Sequence, residues 1–127
     1  IKSLVTNPYK RGFYFSFYDY SDKEKMKIFK ESTKKIIEVS RSKNLNTKYI
    51  VLPFAYQIDY LKCDPKYLLP QKKIKEIFRE FNESIDDLTD DFCEYDKPKD
   101  LFFDSVHLSS QGNKFVFELL QKRNILN

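Results

Sequence analysis

The chain has 127 residues, enough for one domain with one hydrophobic core. Its 23 basic residues outnumber 19 acidic ones, giving a net charge of +4, but the lysines are spread over several segments instead of forming one basic stripe, which argues against nucleic-acid binding. No run of about 18 apolar residues occurs, so no segment is expected to span a membrane.

Residues 1–11 have no clear period, and Asn7-Pro8 signals a turn. Gly12 to Tyr18 is a short aromatic run whose length and composition suit a buried strand. Ser21 or Asp22 can cap the helix that follows. Met26, Phe29, Thr33, Ile36, Ile37 and Ser40 recur at helical spacing, lysines fill the other face, and a helix is expected from Asp22 to Arg41. Tyr49 to Phe54 reads as a second buried strand, ended by Pro53. Strand, helix and strand at this spacing predict a parallel βαβ unit. Pro65 and Pro70 mark a loop, and a helix is expected over Gln71–Phe81 on the spacing of Ile74, Ile77, Phe78 and Phe81. Ile85–Thr89 is a candidate third strand. Residues 90–100 are polar, contain Pro98, and are expected to be loop. Leu101-Phe102-Phe103 leads into Asp104. A last helix is expected to begin near Ser109 or Ser110, with Phe115, Val116, Leu119 and Leu120 on its buried face.

This order predicts an α/β domain of three layers, with helices on both sides of a parallel sheet. Three strands make a thin sheet, and the Phe13–Tyr18 strand is apolar throughout, as if covered on both faces. Further strands are therefore expected N-terminal to Ile1, or from a partner chain. Cys63 and Cys93 lack the spacing of a metal site. They either pair in an oxidising compartment or remain free thiols, and free thiols are the simpler expectation.

Chemistry concentrates in Asp104-Ser105-Val106-His107-Leu108-Ser109-Ser110-Gln111-Gly112. His107 is the chain's one histidine. It follows a carboxylate by three residues, on a loop between an apolar stretch and a helix. A histidine acting as base on a serine needs its second ring nitrogen held by an acceptor, and Asp104 is placed to hold it. The plainer reading makes Asp104 a turn residue, His107 a surface bystander and Ser109 a helix cap.

The flanks favour the first reading. Asp-x-x-His-Leu-Ser-x-x-Gly, after Leu-Phe-Phe and before an amphipathic helix, resembles the last conserved block of the SGNH (GDSL) hydrolases. The Tyr49–Phe54 strand, the Pro70-Gln71 helix start and the 85–92 stretch resemble that family's approach to the block. The resemblance implies a flavodoxin-like α/β/α fold whose N-terminal strands are missing, residues 1–127 being the C-terminal portion of the domain. It implies that Asp104 and His107 are triad members and that the nucleophilic serine lies outside this chain, since no Gly-Asp-Ser occurs here. It places Tyr18 where the family carries an oxyanion-hole asparagine, so Tyr18 reads as a hydrogen-bond donor or as plain core. The implied substrate is an ester or an acylated compound, with no cofactor or metal. The implied partner is an N-terminal half or another chain. The implied setting is secreted or periplasmic, with the cytoplasm left open. The missing glycine and asparagine signatures support a second expectation: an inactive domain of this type, serving as a structural or interaction subunit.

Overall fold

A computed structural model describes residues 19–126. The expected strand over 13–18 and Tyr18 lie outside the described residues. Helix α1 (Lys23–Ser42) begins where Asp22 Oδ1 accepts the backbone N–H groups of Glu24 at 2.9 Å and Lys25 at 3.1 Å. These are two of the donors that a helix start leaves without partners. Thr33, Ile37 and Ser40 face inward, one to two turns apart. Ile36 does not join them. It is 59% exposed, because it lies one residue, roughly 100°, around the helix from Ile37.

After α1 come strand β1 (Ile50–Val51), helix α2 (Ala55–Asp59), a 3₁₀ turn (Pro65–Tyr67) and helix α3 (Leu69–Glu80). Strand β2 (Asp86–Asp87), helix α4 (Thr89–Glu94), a second 3₁₀ turn (Pro98–Leu101) and helix α5 (Ser110–Lys122) complete the described order. Strands β1 and β2 are parallel, with Ile50 opposite Asp86 and Val51 opposite Asp87. Hydrogen bonds from Asp86 N–H to Tyr49 O, 2.9 Å, and from Leu88 N–H to Val51 O, 3.2 Å, close this short ladder.

The expectation of a three-layer α/β/α domain around a parallel sheet is overturned. The described chain is mostly helical, 59% helix, and its sheet has two strands of two residues each. Strands of that length cannot carry a helical layer on each face. Pro53, which has no N–H to donate, stops β1 almost at once. The chain then turns into α2, which the apolar Tyr49–Phe54 run had not suggested. The stretch expected to be loop, residues 90–100, instead contains most of α4 and a 3₁₀ turn. Asp90 and Asp91 sit in the first turn of α4, where the helix dipole favours negative charge. Helices α1 and α3 lie side by side. Arg41 bridges to Glu83 at 2.7 Å and donates to Phe81 O at 2.7 Å, and Lys30 pairs with Glu80.

The core gathers Ala55, Ile58, Leu88, Phe92, Leu101, Phe102, Leu119 and Leu120. Leu88, Phe92 and Leu101 are fully buried, each such side chain stabilising the fold by about 1.5–3 kcal/mol relative to exposure. Beside it is a buried amide pair. Gln57 and Gln71 donate to each other at 3.0 and 2.9 Å, while Gln57 also accepts from Phe54 N–H at 2.7 Å and donates to Tyr67 O at 2.7 Å.

The expectation of free thiols is also overturned. Cys63 and Cys93 form a disulfide across a sequence separation of 30 residues. Closing a loop of that size disfavours the unfolded chain by about 3–4 kcal/mol in the chain-entropy account. Three helices end alike. Asn44, Asn82 and Asn124 take left-handed φ values of 51°, 55° and 53° after α1, α3 and α5. In each case the next N–H reaches back five residues: Leu45 to Ser40, Glu83 to Phe78 and Ile125 to Leu120. These are Schellman caps with asparagine in the place usually held by glycine.

Candidate active site

The loop between Phe102 and Leu108 is built from both ends. Phe102 and Leu108 face each other as an antiparallel bridge, and Phe103 N–H donates to His107 O at 2.8 Å. Ser109 N–H donates to Leu101 O at 3.0 Å. The Ser109 hydroxyl caps α5 by accepting Gly112 N–H at 3.0 Å, and it donates to Asp100 O. Gly112 packs against the backbone of Leu101 so closely that an added Cβ would lie 2.0 Å from the Leu101 oxygen. The loop is also tied to α2, where Ala55 N–H donates to Ser105 O at 3.1 Å. Ser109 and Gly112 thus have structural reasons for their places in the motif.

Within this frame Asp104 and His107 come together as expected. His107 Nδ1 lies 2.7 Å from Asp104 Oδ2. The other carboxylate oxygen, Oδ1, accepts the backbone N–H of Val106 at 2.9 Å and of His107 at 2.8 Å. Three hydrogen bonds to the charged form hold the Asp104 carboxyl down at about 2, led by the Val106 N–H, then the His107 ring, then the His107 N–H. A carboxylate that stays ionised only accepts, so Nδ1 carries the ring proton and the lone pair of a neutral imidazole lies on Nε2. Among the described residues Nε2 has no hydrogen-bond partner, and the His107 side chain is 76% exposed. Phe103, 79% exposed, and Val106, 48% exposed, add apolar surface on the same loop.

This arrangement can take up a proton at Nε2 and stabilise the imidazolium that forms. It does not by itself supply a nucleophile. Tyr18, the expected oxyanion-hole position, lies outside the described residues. Among the described residues no group of three or more His, Cys, Asp or Glu side chains comes together to hold a metal ion. A cavity of about 480 Å³ between the first 3₁₀ turn, α3 and the end of β2 is lined by Lys66, Lys72, Lys75, Asp87 and Asp90, and includes neither dyad residue. No described helix is long and apolar enough to cross a membrane. The dyad was legible as a motif, whereas the Ala55–Ser105 tie was not, because nothing in the sequence pairs positions 50 residues apart. Comparison with protein families, with curated proteins and with solved structures gives no match for the chain.

Proposed function

We propose that this chain supplies the Asp104–His107 half of a Ser–His–Asp triad in an ester hydrolase or acyltransferase of the SGNH/GDSL type. The serine comes from outside the chain. The observation that carries the reading is the imidazole held through Nδ1 at 2.7 Å by an ionised carboxylate, with Nε2 open to solvent. His107 acts as base toward the serine and then as acid toward the leaving group, and Asp104 fixes its tautomer. The exposed Phe103 and Val106 beside the ring suit an apolar acyl group or an apolar face of the serine-bearing partner. The reading rests on this local arrangement and on the motif, not on the architecture of the domain.

A second reading has its own observation. Asp104 Oδ1 shapes the loop through two backbone N–H groups, a sufficient structural reason for an aspartate there. On that reading the domain is an inactive structural or interaction module.

Labelling decides between them. The purified 127-residue chain is expected to give no turnover of p-nitrophenyl butyrate above background. When the chain is isolated from its native source together with whatever binds it, a fluorophosphonate probe is expected to label a serine on the bound polypeptide. His107→Ala is expected to abolish that labelling. Labelling that persists in His107→Ala, or turnover by the isolated chain that survives the substitution, rejects the triad. Absence of any labelled serine in the native assembly favours the inactive module.

A further inference from the structure

We propose that the Cys63–Cys93 disulfide is a redox-set clamp on the dyad loop: closed, it holds residues 103–107 in the shape that joins Asp104 to His107, and opened by a dithiol it releases them. The bond ties the segment just after α2 to α4. These helices have five and six residues, too few to persist without tertiary support.

Both ends of the bond lie one step from the loop. On one side, α2 begins at Ala55, whose N–H holds Ser105 O at 3.1 Å. On the other, the neighbour of Cys93 is Phe92, whose ring lies 5.6 Å from that of Phe102, the residue that opens the loop. Both cysteines pack against the cluster formed by Ala55, Phe92, Leu101 and Phe102.

The backbone at the bond is held away from its resting shape. Lys62 and Cys63 are consecutive non-glycine residues in the left-handed region, at φ 49° and 59°. Cys63 N–H donating to Gln57 O at 2.8 Å and the disulfide itself hold them there. Opening the bond removes one of these two restraints, and the relaxation runs back into α2. The α1–α3 pair is joined by separate contacts, including Arg41 to Glu83. The Gln57–Gln71 pair still joins α2 to α3 when the bond is open, so the release centres on the dyad loop and leaves the α1–α3 pair folded.

Both cysteines are half-buried, within reach of a small dithiol. One thiolate of the reductant attacks a sulfur of the pair, and the other cysteine leaves as a thiolate and takes up a proton. The reductant's second thiol then resolves the mixed disulfide. Two cysteine thiols form, and the dithiol becomes its own disulfide.

The proposal concerns the shape of the loop and does not depend on which reaction the dyad serves. The test is to titrate the 127-residue chain with dithiothreitol while reading thiol count, far-UV ellipticity and amide exchange at Ala55, Val106 and His107. The thiol count is expected to rise from zero to two. Protection at the three amides is expected to fall about tenfold or more while ellipticity falls by no more than the share of the short helices α2 and α4. Reoxidation is expected to restore protection, and the Cys63→Ser/Cys93→Ser double variant is expected to show the reduced pattern without reductant. Protection unchanged in the reduced chain overturns the clamp, leaving a plain staple. Loss of most of the ellipticity over the same dithiol range overturns it as well, because the bond then supports the whole domain. Amides already unprotected in the oxidised chain overturn it too, and leave the hydrolase reading to the labelling experiment.

Discussion

Asp104 and His107 meet twice: one carboxylate oxygen takes the ring Nδ1 at 2.7 Å, and the other takes the same residue's backbone N–H at 2.8 Å. The aspartate therefore sets the height of the histidine on the loop as well as the orientation of its ring. The two tasks are separable by substitution.

Asp104→Asn keeps one oxygen, which is expected to stay with the Val106 and His107 N–H groups. The amide NH₂ then faces the ring and makes Nδ1 an acceptor, which moves the ring proton to Nε2. The ¹⁵N shifts of His107 are expected to report that inverted tautomer while the loop amides keep their positions. In a completed triad the loss of turnover is expected to be on the order of 10⁴-fold, the size seen when the same exchange is made in a serine-protease triad. Unchanged ring shifts would remove the tautomer-fixing role from Asp104.

Acid should dismantle the loop in a defined window. The Asp104 carboxyl is depressed from 3.8 to about 2 by hydrogen bonds that exist only in the folded chain. A depressed carboxyl contributes stability that is fully present above its unfolded value and is lost as pH falls through the folded one. The Val106 and His107 amide shifts are accordingly expected to hold down to pH near 3 and to move below it with a midpoint at about 2. A transition centred near 4 would show that the carboxylate is not held as described.

The Gln57–Gln71 pair predicts non-additivity. Gln57→Leu removes the hydrogen bonds to Phe54 N–H, Tyr67 O and Gln71, and is expected to cost on the order of 3 kcal/mol by urea denaturation. The Gln57→Leu/Gln71→Leu double variant is expected to cost less than the sum of the two single changes, since each alone abandons the other. Additive losses would mean the amides act independently.

The asparagine caps are tested at the end of α5. Asn124→Ala is expected to destabilise by about 1–2 kcal/mol, because a Cβ is disfavoured at left-handed φ. Asn124→Gly is expected to be neutral or slightly stabilising in the same thermal melt. Equal losses from both would locate the asparagine's contribution in its side chain instead of its backbone.

Much of this molecule follows local rules and could be read without coordinates. Asp22 capping α1 and Ser109 capping α5 are short-range patterns, and both helices begin within a residue of expectation. The Asp104–His107 pair is local too, three residues on one loop. The Tyr49–Phe54 run misled because β propensity reports fit to a pleated surface, and here the surface is one short neighbour, Asp86–Asp87. Helices α2 and α4 were missed because five or six residues carry too little periodicity to distinguish them from strand or loop. Their existence depends on tertiary partners: the Cys63–Cys93 bond, the Gln57–Gln71 pair and the Phe92–Phe102 contact. None of these is a property of neighbouring residues.

The close approach of Gly112 to Leu101 works like a detent. Only a residue without a side chain fits beneath that carbonyl, and no other glycine occurs between residues 19 and 126. If α5 slid along its axis by one turn toward its N-terminal end, it would bring Val116 into the same space, and a valine cannot enter. The helix consequently has a single seat. Because Leu101 and Ser109 bracket residues 102–108, the histidine inherits that seat, and its distance from the core is set by a methyl group the sequence leaves out.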